Sequence, residues 1–125
     1  MPPVRIVLVE DNEVFRDALE LLLGMRDDVE IVASVGDGAA AVSAAKEFRP
    51  DVVLMDYRLP ALDGIQATAQ VVEGAPGVAV VALTASADAA ERQALVEAGA
   101  VACLTKDQEL EEIVAAILQA AAVAG

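Results

Sequence analysis

The sequence predicts a doubly wound α/β fold, in which a five-stranded parallel sheet carries helices on both faces. Short apolar runs typical of strands recur at residues 5–9, 29–34, 52–55, 78–83 and 101–104. Helix-length segments with short connections separate these runs, and such alternation is typical of parallel sheets. The run at 52–55 has no polar face, as expected of a central strand that helices cover on both sides. We therefore expect one domain over residues 1–121, with 122–125 as a frayed tail or the start of a linker.

The polarity of the strands indicates which of them lie at the edges of the sheet. The runs around Val29 and Val101 are the most polar, so we place them at the edges of the sheet, with the other three runs inside. This arrangement fits the order 2-1-3-4-5 of flavodoxin-like folds. In open parallel sheets ligands bind outside the carboxyl ends of the strands, at the point where the strand order reverses. Here that point lies between the first and third strands.

The first three helices are predicted from apolar spacing and from start and stop residues. The first is expected to begin after Asp11 or Asn12 and to end at Gly24. The second is predicted at residues 38–48 behind Asp37, and the third at residues 64–72. The predicted inward face of the first helix comprises Phe15, Ala18, Leu19, Leu22 and Leu23, and that of the third comprises Ile65, Thr68, Ala69 and Val72.

The fourth helix, expected from Ser86 to Gly99, has the weakest apolar face. That face consists mostly of Ala90, Ala94 and Ala98, so we expect this helix to be the part of the fold that moves most readily. Asp107 is expected to cap the fifth helix. The inward face of the fifth helix comprises Leu110, Ile113, Val114, Ile117 and Leu118.

Composition excludes several classes of function. The chain has 125 residues, 57% of them hydrophobic but only 2% aromatic, so the core must consist of aliphatic residues and alanine. The absence of histidine excludes histidine-based triads and zinc sites, and the single Cys103 excludes an internal disulfide and fits a reducing compartment. A formal charge of -13 opposes direct binding to nucleic acid. With no apolar run of membrane-spanning length, we expect a cytoplasmic protein.

Chemically distinctive residues follow four of the predicted strands. Glu10 and Asp11 end the first strand, Asp56 the third, Thr84 the fourth and Lys106 the fifth. Each close pair of carboxylates repels by roughly 1 to 4 kcal/mol at ~4 Å, so a cation is required among them. Hard oxygen ligands with open positions are what Mg²⁺ prefers. Asp56 could then attack phosphorus, while the ammonium and hydroxyl groups stabilise the phosphoryl oxygens.

Each of these residues also has an ordinary explanation. Glu10 and Asp11 could cap the first helix, Thr84 could be a strand or helix-start residue, and Lys106 could be a solvated edge lysine. The functional interpretation depends on their convergence on one rim of the sheet.

Together these motifs resemble the receiver domains of two-component response regulators, and the resemblance covers nearly the whole chain. The matching segments are Val7-Leu8-Val9-Glu10-Asp11-Asn12, Met55-Asp56-Tyr57-Arg58-Leu59-Pro60, Asp63-Gly64, Ala82-Leu83-Thr84-Ala85, Ala98-Gly99-Ala100 and Leu104-Thr105-Lys106. Asp107 after the lysine and the segment 27–32 resemble the NarL/FixJ-type receivers of transcription factors.

The resemblance implies a phosphorylation-dependent switch rather than a turnover enzyme. Asp56 would accept a phosphoryl group from the phosphohistidine of a sensor histidine kinase, and Thr84 and Lys106 would grip its oxygens. Mg²⁺, with Mn²⁺ as an alternative, would be held by Glu10, Asp11, Asp56 and the backbone carbonyl of Arg58. Arg58 and Ser86 would flank the phosphoryl group and tune its hydrolysis.

The resemblance also suggests partners. The output is expected to be transcriptional, through a covalently linked DNA-binding domain outside this chain. A homodimer through the first or last helix is a further hypothesis.

One departure from the family concerns Cys103. Receiver domains usually carry Tyr or Phe three residues before the lysine, and that aromatic ring swings inward on phosphorylation. Cys103 cannot make this movement, so we expect signalling to the face formed by the fourth helix, fifth strand and fifth helix to be weaker or to use helix movement directly.

Three alternatives remain open. A flavodoxin-like redox carrier is disfavoured because Glu10 and Asp11 would repel a flavin phosphate. A phosphatase of the haloacid dehalogenase type would place a second aspartate where Arg58 stands. A degenerate receiver that acts only as a docking module would not need the acids, the threonine and the lysine.

Overall fold

The computed structural model describes residues 2–57, 59, 62–85 and 88–124. Within them the strands are β1 (Val4–Val9), β2 (Val29–Val35), β3 (Val52–Asp56), β4 (Ala79–Thr84) and β5 (Ala102–Thr105). The helices are α1 (Glu13–Gly24), α2 (Gly38–Phe48), α3 (Gly64–Gly74), α4 (Ala89–Ala98) and α5 (Leu110–Ala124). The strands form one sheet in the order β2-β1-β3-β4-β5, and all four pairings are parallel. The predicted fold class and strand order are confirmed.

The sheet separates two apolar cores, because alternate side chains of its central strands point to opposite faces. One core packs α2, α3 and α4 against the sheet, and it includes Val7, Val53, Met55 and Val80. The other packs α1 and α5 against it, and it includes Ile6, Leu8, Leu54 and Val81. Every residue of β3 and β4 is buried, which fixes the positions of their last residues, Asp56 and Thr84.

The starts and stops of the helices agree in part with prediction. Asn12, Asp37 and Asp63 cap α1, α2 and α3 through side-chain oxygens that accept backbone N–H groups of the first turn. The bounds of α2 are those predicted. The predicted cap of α5 is wrong: Asp107 instead accepts a hydrogen bond from the Thr105 hydroxyl, and the backbone carbonyl of Glu109 accepts the first bonds of the helix.

The predicted inward faces of α1, α3 and α4 need correction. Leu19 and Leu23 are buried on α1, whereas Ala18 and Leu22 are exposed. On α3 the buried residues are Gly64, Ala67, Thr68 and Val71, whereas Ala69 and Val72 are exposed.

α4 starts later than predicted because the Asp88 side chain caps it, and its single buried residue is Leu95 rather than Ala90. The predicted face of α5 is confirmed, with Ile113, Val114 and Ile117 buried. Among the described residues, no helix combines the length and apolar character needed to cross a membrane.

Candidate functional site

The carboxyl ends of four strands bring the predicted site residues to one rim of the sheet. Asp56 is the last residue of β3 and Thr84 the last of β4, while Glu10 directly follows β1 and Lys106 directly follows β5. Parallel pairing of neighbouring strands places these ends side by side. The backbone N–H of Lys106 donates to the carbonyl of Thr84 at 2.8 Å, so the two residues are held together by the main chain.

Three carboxylates lie close together at this rim. Glu10, Asp11 and Asp56 each offer an oxygen, and these atoms all lie within 4.8 Å of one another. Glu10 is 1% exposed and Asp56 4% exposed, whereas Asp11 is open to solvent. Two buried acids and one exposed acid therefore leave a cluster of negative charge that a cation can reach from one side.

Lys106 partly neutralises this cluster. Its Nζ lies 2.6 Å from Oε1 of Glu10 and 3.4 Å from Oδ2 of Asp56, and its side chain is 22% exposed. Burial alone would lower the pKa of Lys106, but the hydrogen bond to Glu10 and the charges of Asp56 and Glu10 outweigh it and raise that pKa. The lysine is therefore an ammonium ion throughout the physiological range, positioned between two carboxylates.

The surroundings of Asp56 raise the pKa of its carboxyl group. Burial raises its pKa, the adjacent Glu10 raises it further, and the ammonium of Lys106 lowers it, with a net value of about 7. A buried carboxylate beside other acids is stabilised in its neutral form until a further cation arrives. Removing a proton from Asp56 and adding positive charge at this rim are therefore linked events.

Contacts from α1 and β2 hold Glu10 in position. Its Oε2 accepts the backbone N–H of Asn12 at 3.1 Å, and its main-chain carbonyl accepts Nη1 of Arg16 at 2.9 Å. Its own N–H donates to the carbonyl of Val35 at 3.0 Å. Both the side chain and the main chain of Glu10 are thus fixed before any ligand arrives.

The connection from β3 to α3 passes very close to Asp56. The N–H of Gly64 donates to the carbonyl of Tyr57 at 2.8 Å. A Cβ atom at position 64 would lie 2.5 Å from the carbonyl oxygen of Asp56 and 2.7 Å from Cα of Tyr57, which only glycine avoids. The Asp63-Gly64 pair therefore combines a helix cap with a close approach of two backbones at the site.

Two residues near the site were absent from the set predicted from the sequence. Arg16 contacts Glu10 as described, and the ring of Phe15 lies under Lys106 with its centroid 4.9 Å from Nζ. In the sequence Phe15 fits the apolar face of α1, so its spacing indicated only a core residue. Its position five residues after Glu10, in the first turn of the helix, is the signal that could have placed it at the rim.

Some predicted roles fall outside the described residues. Arg58, whose backbone carbonyl was expected to bind the metal, and Ser86, expected to flank the phosphoryl group, both lie outside them, as does Pro60.

Cys103 lies half-buried on β5, and its backbone carbonyl accepts Nη2 of Arg92 at 3.3 Å. Burial raises the pKa of the Cys103 thiol, which disfavours the reactive thiolate form. This environment favours a packing role for the small Cys103 side chain over a reactive one.

The donor set fits a hard divalent cation. Three carboxylate oxygens within reach of one another, one of them on an exposed side chain, match the oxygen ligands and partial hydration that Mg²⁺ prefers. The same carboxylate of Asp56 lies next to an ammonium group that could stabilise negative charge developing on a bound group. The rim can thus hold a cation and an anion side by side at the end of β3.

The chain is similar to known proteins over nearly its whole length. The profile described as the response regulator receiver domain matches residues 6–118. The transcriptional regulatory protein LnrK of Bacillus subtilis (strain 168) is 34% identical over 115 residues, which cover 92% of this chain and 52% of LnrK. The chain spans about half the length of the first curated relatives it matches.

Solved structures that are similar to this chain are also receiver domains. The signal receiver domain of the response regulator NarL from Mycobacterium tuberculosis superposes with a TM-score of 0.93 at 34% identity, covering 98% of each chain. The receiver domain of sensor histidine kinase PA1611 from Pseudomonas aeruginosa PAO1 has a TM-score of 0.80 at 34% identity, covering 96% of this chain and 98% of that one. That structure carries a magnesium ion coordinated in its active-site cleft.

Proposed function

This chain belongs to the family of response regulator receiver domains, and we propose that it is a phosphorylation-dependent switch whose phosphoryl acceptor is Asp56. The observation that carries this proposal is the position of the Asp56 carboxylate. It stands at the end of the central strand β3, buried among acids, with the ammonium of Lys106 3.4 Å away. Burying an acid beside other acids destabilises the folded protein, so this environment is not expected of a carboxylate with a purely structural role.

The proposed chemistry is transfer of a phosphoryl group to Asp56. An oxygen of its carboxylate attacks phosphorus of a phosphohistidine on a sensor histidine kinase. The bond from phosphorus to the imidazole nitrogen breaks, and the nitrogen keeps the electron pair. The product is an acyl phosphate on Asp56. Lys106, already beside the attacking carboxylate, and Thr84, at the end of the neighbouring strand, hold the phosphoryl oxygens.

We propose that Mg²⁺ binds at the same rim, with Mn²⁺ as an alternative. Glu10, Asp11 and Asp56 would hold it, together with the backbone carbonyl of Arg58. When bound, the ion offsets the negative charge of the acids and of the incoming phosphoryl group. The acidic cluster within 4.8 Å and the magnesium in the cleft of the PA1611 receiver support this assignment. The raised pKa of Asp56 fits a carboxylate that completes its ionisation when positive charge arrives.

We further propose that the domain is a slow switch rather than a turnover enzyme. A phosphatase with an aspartate nucleophile generally needs a second acid two residues later, and the sequence has Arg58 there. Arg58 and Ser86 would instead adjust how long the acyl phosphate survives.

The proposed partners follow from the relatives. A sensor histidine kinase would supply the phosphoryl group, and LnrK, a transcriptional regulatory protein about twice the length of the matched region, supports an output in transcription. A linked DNA-binding domain would make the nucleic-acid contacts, because a chain with a formal charge of -13 repels phosphate backbones. A homodimer through α1 or α5 and a cytoplasmic location complete the proposal.

Phosphorylation without a kinase tests this function. The purified protein is incubated with acetyl phosphate and Mg²⁺ and its intact mass is measured, with Asp56→Asn and metal chelation as controls. We expect the mass of one phosphoryl group to be added to the wild-type protein only when Mg²⁺ is present. Equal labelling of Asp56→Asn, or no labelling of the wild type under any condition, would contradict the proposal.

A further inference from the structure

At the rim Lys106 contacts a neutral ring as well as two carboxylates. The carboxylates are those of Glu10 and Asp56, at 2.6 and 3.4 Å from Nζ. The ring is that of Phe15, whose centroid lies 4.9 Å from the same atom. An ammonium group within about 6 Å of an aromatic centroid is attracted by the negative face of the ring. The ammonium is thus held from two sides by charge and from a third by the ring.

The two kinds of contact respond differently to a divalent cation. Positive charge at the acids weakens the attraction of Glu10 for Lys106, because one carboxylate cannot fully neutralise two cations. A phenyl ring carries no net charge and offers a divalent ion no oxygen ligand. The contact with Phe15 therefore persists in conditions that loosen the ion pair with Glu10.

The position of Phe15 is set by the same hydrogen bonds that order Glu10. Oε2 of Glu10 accepts the N–H of Asn12 at 3.1 Å, and Oδ1 of Asn12 accepts the N–H of Phe15 at 3.1 Å. Phe15 also packs against the core that α1 and α5 form with the sheet. The backbone of Phe15 is therefore held by the helix cap, and its ring is held by packing against the core.

From this geometry we infer that Phe15 is a positioning residue, which keeps the Lys106 ammonium beside Asp56 when a divalent cation occupies the acids. The inference rests on the proposed function and adds a residue outside the acid, threonine and lysine set. Without the ring, Lys106 would be free to follow other charges or to extend into solvent, and the phosphoryl group would lose part of its stabilisation. Phe15 itself touches no reacting atom.

Two substitutions distinguish the effect of the aromatic face of Phe15 from the effect of its size. Phe15→Leu keeps an apolar side chain but removes the aromatic face, and Phe15→Tyr keeps the face. Beryllofluoride, which mimics a phosphoryl group on a carboxylate, is the probe, and Mg²⁺ alone is the comparison. We expect Phe15→Leu to weaken beryllofluoride binding by about three- to tenfold. Its affinity for Mg²⁺ alone should stay within about twofold of wild type, and Phe15→Tyr should restore beryllofluoride binding.

A spectroscopic readout tests the contact without phosphorylation. Protons above an aromatic face resonate upfield, so the Cε protons of Lys106 should be shifted upfield in the wild type and not in Phe15→Leu. The shift should persist when Mg²⁺ is added. Loss of the shift on adding Mg²⁺ would overturn the inference, as would unchanged beryllofluoride affinity in Phe15→Leu or equal loss of both affinities. Failure of the wild type to bind beryllofluoride at all would instead contradict the proposed function.

Discussion

Asp56 is the residue at which stability and proposed function oppose each other most strongly. Its buried carboxylate beside Glu10 has a pKa raised to about 7. A carboxyl group with a raised folded-state pKa contributes stability that is complete below its unfolded pKa and is lost as pH rises through its folded pKa. The metal-free protein should therefore lose stability as pH rises from about 4 to 7, and the loss should level off above this range.

Asp56→Asn should be more stable than the wild type in the absence of metal. The amide keeps the shape of the side chain but removes a buried negative charge, and Lys106 retains its ion pair with Glu10. We expect a gain of about 1 to 4 kcal/mol in the free energy of unfolding at pH 8, and a smaller gain at pH 5.5. Urea unfolding in the presence of a chelator measures the free energy of unfolding of both proteins. Asp17→Asn on the exposed face of α1 is the control. A variant that is less stable than the wild type, or a gain in stability that does not grow with pH, would contradict a raised pKa for Asp56.

A substitution at Asp11 should affect Mg²⁺ binding without preventing folding. It is exposed, and it belongs to the acidic cluster. We expect Asp11→Ala to stabilise the metal-free protein by about 1 kcal/mol, because it removes one of three carboxylates that repel one another. It should nevertheless reduce Mg²⁺ affinity more than about tenfold, because one of few charged ligands is lost.

Titration with Mg²⁺, followed by thermal stability or calorimetry, checks the Asp11 prediction. Asp27→Ala removes an exposed acid at a distant turn and serves as the matched control. Equal affinities in the two variants would mean that Asp11 is not a ligand.

The sequence identifies the acids, the threonine and the lysine of the rim because each directly ends or follows a strand. It does not identify Phe15 or Arg16 as their neighbours. Both lie on a helix, and their contacts depend on how that helix docks on the sheet. A prediction from spacing can assign such residues to a face but not to a partner.

The connection between β3 and α3 limits which side chains can be placed at position 64. Gly64→Ala would force a Cβ atom to within 2.5 Å of the Asp56 carbonyl oxygen, so the backbone would have to shift beside the proposed nucleophile. We expect a loss of about 1 to 3 kcal/mol in the free energy of unfolding and slower labelling by acetyl phosphate.

Gly24→Ala is the matched control for Gly64, because no atom lies within 4 Å of a Cβ at position 24. It should be neutral or slightly stabilising, by at most about 1 kcal/mol. Chemical unfolding of the two variants side by side makes the comparison. If both alanine variants behave alike, close backbone approach is not what position 64 requires.

The helix α4 has the weakest attachment among those described in full. Leu95 is its one buried residue, whereas α5 buries Ile113, Val114, Ile117 and Ala120. With so little apolar anchorage, α4 should open more readily than α5. We expect amides of Ala89–Ala98 to exchange with deuterium faster than those of Leu110–Ala124, and beryllofluoride with Mg²⁺ to change their rates.

Hydrogen exchange with mass spectrometry measures this difference. Cys103 stands where the family usually has an aromatic switch residue, so we expect signalling to the face formed by α4, β5 and α5 to be weaker or to use helix movement directly. Exchange in α4 as slow as in α5, and unchanged by beryllofluoride, would exclude movement of α4 as the route for the signal.

The errors in predicting helix faces have a common physical cause. On α1 apolar residues occupy both the buried face and the exposed one, where Val14, Leu21 and Leu22 lie. Helical periodicity then cannot decide which face meets the sheet. The same ambiguity affects the small residues of α4, where the pattern of alanines concealed the one larger anchor, Leu95.

For the whole molecule, alternating apolar runs predicted a parallel sheet and strand polarity placed β2 and β5 at its edges, and the known doubly wound order 2-1-3-4-5 fits both predictions. Because β3 and β4 are buried on both faces, their sequences leave few alternative positions. The starts of α4 and α5 were not predictable in the same way. At α4 the side chain of Asp88 accepts the first backbone N–H groups, whereas at α5 the backbone carbonyl of Glu109 does so.

We propose that one of the three carboxylates at the rim becomes phosphorylated, and the position of the modified residue can be measured directly. Borohydride reduces an acyl phosphate on aspartate to homoserine, which marks the modified residue permanently. After treatment with acetyl phosphate and Mg²⁺, peptide mass spectrometry should find homoserine at position 56. Finding the reduced product at Glu10 or Asp11, or none in protein that binds Mg²⁺, would contradict the assignment of Asp56 as the phosphoryl acceptor.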